Sequence, residues 1–234
     1  MASEAVQPAG TAADSYAHTE RVGFAIIMIV APLVVLAVTI LHPPHGAEDG
    51  TEYYQAAHDH SQAFYVAHTL FFLGAVFLLP AVVGLARLLQ RSRHGKAAFW
   101  GGLLSLMGFI GWGALDGMDF MTYVAGSSSN LDTNTMQTYI DDALANTAIL
   151  VPVSVVFFLL IIGLCVIAVG LHRAAILPLW LAVLMPIGVL GVISFLEYPP
   201  LLIGSALLLL VSFGTVGVRQ LRAPDATASQ AAPV

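Results

Sequence analysis

Five of the chain's eight histidines lie between Leu41 and His68, in the stretch LHPPHGAEDGTEYYQAAHDHSQAFYVAH, which has no lysine or arginine. Imidazole in the company of carboxylates (Glu48, Asp49, Glu52 and Asp59 share the stretch) supports two chemistries. Together they suit the ions Zn, Fe, Mn, Ni or Cu(II). They also exchange protons, since an unperturbed imidazole titrates at about pH 6.5. Spacing weakens the metal reading. HPPH near polyproline II, at about 3.1 Å per residue, sets His42 and His45 roughly 9 Å apart, too far to clasp one ion without a bend. His58 and His60 flank Asp59, and neither pair has HExxH or zinc-finger spacing. Their plainer reading is as solvated loop residues. Cys165 is the only cysteine, which excludes an intrachain disulfide, thiolate clusters and CxxC chemistry; it reads as a small packing residue.

The elements that position these residues follow from composition. The chain has 234 residues, 58% hydrophobic and 9% charged, with a mean hydropathy of +0.86. Soluble domains carry about 25% charged residues, and runs of about 20 apolar residues read as membrane-spanning helices. Six such runs stand out, at about 22–42, 62–89, 97–122, 145–171, 175–196 and 199–218. The fold class expected is all-α: one bundle of six transmembrane helices over 21–222. The small, polar, Pro/Ala-rich segments 1–20 and 223–234 are expected to be disordered tails.

All eight basic residues fall on one side of this six-span arrangement: Arg21, Arg87, Arg91, Arg93, Lys96, Arg173, Arg219 and Arg222. The positive-inside rule assigns that side, and both termini, to the cytoplasm of what reads as a bacterial cytoplasmic membrane. The opposite loops, 43–61, 123–144 and 197–198, carry acids and no bases, so nucleic acid is not an expected partner; lipid is. Outward-to-inward spans end alike in VVGLAR, AVGLHR and TVGVR, and spans three and five align at Trp100/Trp180, Gly108/Gly188 and Gly111/Gly191. Small-xxx-small pairs, Gly101/Ser105 and Gly113/Gly117, mark span three as a packing helix.

Depth brings the chemistry to one plane. At 1.5 Å per helical residue, His42, His68, Asp116 and Glu197 each lie roughly 28–31 Å from the cytoplasmic edge, on four different spans. Asp119 lies one turn beyond Asp116 on nearly the same face. If those faces converge, His42, His68, Asp116 and Asp119 line an outward-facing pocket for a transition metal (Zn, Fe or Cu) or a proton. His58, His60 and Glu197 are outer candidates. If they do not converge, each is a helix-end residue, and the protein is a structural or accessory subunit of a larger membrane complex or a homo-oligomer. A solute transporter is a further alternative. Haem needs His42 and His68 as facing axial ligands, and the inner half offers no second pair.

Overall fold

The computed structural model describes residues 10–43, 50–90, 92–128, 132–194 and 198–223. Among them are eight helices and no strand. Six are apolar: α1 (Gly10–Leu41), α3 (Ser61–Gln90), α4 (Gly95–Ser127), α6 (Thr147–Arg173), α7 (Leu179–Ser194) and α8 (Pro199–Arg222). The other two, α2 (Gly50–Asp59) and α5 (Thr133–Ala145), are short and amphipathic. Five of the apolar helices are long and hydrophobic enough to cross a membrane; α7, in place of the span expected at 175–196, has 16 residues. This is a helical, multi-pass membrane protein whose apolar surfaces face lipid.

Two expectations change. The 1–20 tail is helical from Gly10 onward, because extending an existing helix needs no new nucleus. The histidine-rich segment and its counterpart, expected as loops, fold mostly into α2 and α5. In α2, Glu52 lies in the first turn and His58 in the last, which suits the helix dipole, and Tyr54, Ala56 and Ala57 are buried. In α5, the Asp132 carboxylate caps the helix, accepting from the Thr135 amide at 2.9 Å and hydroxyl at 2.7 Å. Those bonds hold Asp132 below the usual carboxylate range, so its support for α5 is lost as pH falls through that lowered value.

The apolar helices close a ring. α1 packs on α3, α3 on α4, α4 on α6, α6 on α7, α7 on α8, and α8 back on α1. One continuous core fills it, including Met28, Leu78, Leu85, Leu160, Leu164, Met185 and Phe213. Without a hydrophobic drive in lipid, such contacts depend on close approach. A Cβ on Gly108 would stand 2.2 Å from the Leu160 backbone, and one on Gly163 would stand 2.5 Å from the Ser105 backbone. Gly101 joins this α4–α6 seam as expected, but Gly113 and Gly117 do not: nothing lies within 4 Å of a Cβ there. Gly111, opposite Phe157, takes that role. Cys165 also departs from expectation, being exposed on the outer surface of α6 rather than packed.

The similarity among spans has a packing counterpart. Gly108 meets α6 as Gly188 meets Ser205 and Leu209 of α8, while Gly84 and Gly217 both press on α1. Trp100 and Trp180 are both exposed, at the basic end, where interfacial aromatics belong. The seam yields a direct test. Gly108→Ala forces α4 and α6 apart, and overpacking of this kind typically costs about 1–3 kcal/mol. Thermal unfolding in detergent should register that loss, while Gly113→Ala leaves the transition unchanged.

Candidate functional site

The site lies at the acidic end, where α2 lies against α3 and α4. His68, two turns into α3, is buried, and its Nδ1 lies 2.8 Å from the Phe64 carbonyl oxygen. A carbonyl only accepts, so Nδ1 carries a hydrogen and Nε2 is left to face the site. Nε2 lies 3.2 Å from the Tyr53 hydroxyl and 3.6 Å from Asp119 Oδ2. The same Tyr53 hydroxyl hydrogen-bonds Asp119 Oδ1. One phenol, carried by α2, thus joins an imidazole of α3 to a carboxylate of α4.

Aromatic groups close the surroundings. Phe64 stacks on His68 with ring centroids 4.0 Å apart, and His42, at the end of α1, meets His68 edge-on at 5.1 Å. Phe71 lies against His42 at 5.8 Å, and Tyr53 against Phe64 at 5.3 Å. Asp116, one turn below Asp119, is 4% exposed, and its Oδ2 has no hydrogen-bond partner. Below it on α4, Trp112 and Phe109 are buried, with the Trp112 indole N–H within reach of the Asp116 carboxyl.

Of the residues singled out from sequence, the structure brings together His42, His68 and Asp119, with Asp116 adjoining on the same helix. His58 and His60 stay apart, exposed at the end of α2, where His58 pairs with Asp59 at 3.0 Å. Glu197 lies outside the described residues. Tyr53 is the residue that sequence reasoning missed. Its signal was present: Tyr53 and Ala57, like Tyr54 and His58, are spaced i,i+4, a helical pattern obscured by reading the segment as a loop.

His68 directs Nδ1 at the Phe64 carbonyl and Nε2 at Tyr53 and Asp119. Among the described residues, no group of three or more His, Cys, Asp or Glu side chains is placed to hold a metal ion. Comparison with protein families, curated proteins and solved structures finds no match to this chain.

Burial, then the Asp119 and Asp116 carboxylates, raise the Tyr53 phenol well above its ordinary value of 10.0. An acid whose folded value is raised stabilises the fold below its unfolded value and loses that contribution as pH rises toward the folded one. Tyr53 is therefore neutral throughout the physiological range. Subtracting a Tyr53→Phe phenolate titration from that of the native protein should leave no signal until well above pH 10. The same variant strands the buried His68 and the part-buried Asp119 without their bridge, a loss of about 1–3 kcal/mol detectable by thermal unfolding.

Proposed function

We propose that this protein crosses the membrane six times, with α7 as the shortest crossing and both termini cytoplasmic, and that its outer end binds a proton in the Asp119–Tyr53–His68 chain. The orientation is supported by all eight basic residues falling on one side of six crossings. One observation carries the site: a single Tyr53 hydroxyl contacts both His68 and Asp119 while His68 Nδ1 is committed to Phe64.

Proton counting explains why. With Nδ1 fixed as a donor, the two links of the chain need two hydrogens among Asp119, Tyr53 and Nε2. In one arrangement Tyr53 donates to the Asp119 carboxylate and an imidazolium Nε2–H donates to Tyr53. In the other, a neutral Asp119 carboxyl donates to Tyr53, which donates to neutral Nε2. The two hold the same number of protons and interconvert by shifting both hydrogens along the chain. Removing one proton leaves a single hydrogen for the two links, and Tyr53 can donate it to only one of these two neighbours.

Proton occupancy thus favours docking of α2, which carries Tyr53. The titratable groups around the chain are His42 from α1, His68 from α3 and Asp116 and Asp119 from α4, with Glu52, His58 and Asp59 on the exposed side of α2. Asp119, 28% exposed, opens the chain toward the solution at this end of the molecule. The function this supports is a proton-responsive membrane protein that reads outer acidity and displays it as the position of a surface helix.

Hydrogen exchange of the α2 amides, corrected for the chemical exchange rate, tests this. Protection should fall by about tenfold or more as rising pH removes the proton, the scale of one unmade buried hydrogen bond. His68→Ala and Asp119→Asn should flatten that profile. An unchanged profile in both variants overturns the proposal. Stoichiometric Zn, Fe or Cu in the purified protein, lost from a His68→Ala/Asp116→Ala variant, would put a metal in the proton's place.

A second reading, as an accessory subunit or homo-oligomer, draws on α6. That helix buries little of itself and presents Val151, Val155, Phe158 and Ile162 outward, a face that lipid or a partner helix would cover. A fixed partner copurifying through that face, with no pH dependence in α2, would favour it.

A further inference from the structure

Asp116 takes no part in the Tyr53 chain, yet it is the only fully buried acid among the described residues. It is 4% exposed, whereas the Asp119 side chain one turn away is 28% exposed. The Trp112 indole N–H lies within reach of its carboxyl, and its Oδ2 is buried with no hydrogen-bond partner. Trp112 is itself walled in by Phe109 and Phe157, with ring centroids at 6.2 and 6.1 Å. The carboxyl therefore stands against an apolar floor, with one neutral donor to serve two oxygens.

A carboxylate in such surroundings needs donors on both oxygens or a positive neighbour. Neither is supplied. All eight lysine and arginine residues belong to the opposite end of the bundle. Of the imidazoles nearby, His68 directs its nitrogens at Phe64, Tyr53 and Asp119, and His42 Nδ1 lies 3.0 Å from the Pro43 carbonyl oxygen. From α2 comes the neutral Tyr53 phenol. α6, packed against α4, brings no titratable group before Cys165, and α5 brings Tyr139, Asp141 and Asp142 but no base.

Asp119 makes the charge harder still to hold. Residues i and i+3 are neighbours on a helix, and two carboxylates sharing one site do not ionise together. The better-served of the two keeps the charge: Asp119 accepts from the Tyr53 hydroxyl and has His68 Nε2 at 3.6 Å. Asp116 has the indole alone. A buried acid left without partners takes up a proton in place of its charge.

We propose that Asp116 is a second proton-binding site, with the proton on Oδ2, so that this end of the molecule binds two protons. The proposal rests on the reading of the Tyr53 chain as the first. The two sites are coupled, because a charge on Asp116 would make the chain hold its own proton more tightly. Infrared spectroscopy of the full-length protein in lipid tests it, read in the carboxylic C=O band that shifts in D2O. At neutral pH, Asp119→Asn should keep a band worth one carboxyl. Asp116→Asn should lose one carboxyl's worth from the native spectrum, and it decides the matter if Asp119→Asn does not fold. Asp142→Asn, exposed on α5, should change nothing. No band in Asp119→Asn, no loss in Asp116→Asn, or an equal loss in Asp142→Asn would overturn the assignment. So would a band that vanishes when sodium chloride replaces choline chloride, which puts a metal cation on the carboxylate. The two readings fail separately. A flat α2 exchange profile with the Asp116 band intact sinks the chain and leaves this site standing, and a pH-dependent profile without the band does the reverse.

Discussion

A membrane interior offers no water to rescue a polar group, so each buried donor or acceptor must find its partner within the protein. That constraint organises the acidic end of this molecule. His68 and Asp119 sit on neighbouring apolar helices and approach to 3.6 Å, longer than a direct hydrogen bond. The missing atom comes from α2, a helix outside the bundle, whose Tyr53 hydroxyl fits between them. A surface element is thereby made part of the membrane domain. Its own packing follows the same logic: Ala56, Ala57 and Phe64 form one small buried cluster, and Tyr54, Ala125 and Ile140 another.

The ring beneath is built on a different principle. Its helices are held by shape, with α4 and α6 in backbone contact along Gly101, Ser105, Gly108 and Gly163. This rigid seam fixes where α4 presents Asp116 and Asp119. The division of labour is clear: small residues set the frame, and the few ionisable side chains work at its two ends. At the acidic end they form a hydrogen-bonded chain; at the basic end Arg87 pairs with Glu20.

Much of this was legible in the sequence because membrane helices announce themselves by length and hydropathy. The depth of His42, His68 and Asp116 could be counted from the basic residues at the other end, since the rise of a helix is constant. What could not be read was the partner of His68. Tyr53 precedes it by only four turns' worth of chain, yet it belongs to a segment whose prolines, glycine and acids resemble a loop. Nor did the pattern separate Gly113 and Gly117, which face open space, from Gly108 and Gly111, which face α6. Spacing marks a small-residue stripe but not which stripe meets a neighbour.

Only His60 separates α2 from α3, and it is bonded on both sides: its amide donates to the Ala56 carbonyl, and its carbonyl accepts from the Phe64 amide. The two helices therefore behave as stiff arms about a single pivot. Tyr53 lies roughly 10 Å along its arm from that pivot, so a swing of about 15° carries the phenol about 2.6 Å, enough to part it from His68 and Asp119. The other arm carries Phe64 and His68 themselves. The Tyr53–His68 contact thus ties the two arms together at similar distances from their junction and opposes that swing.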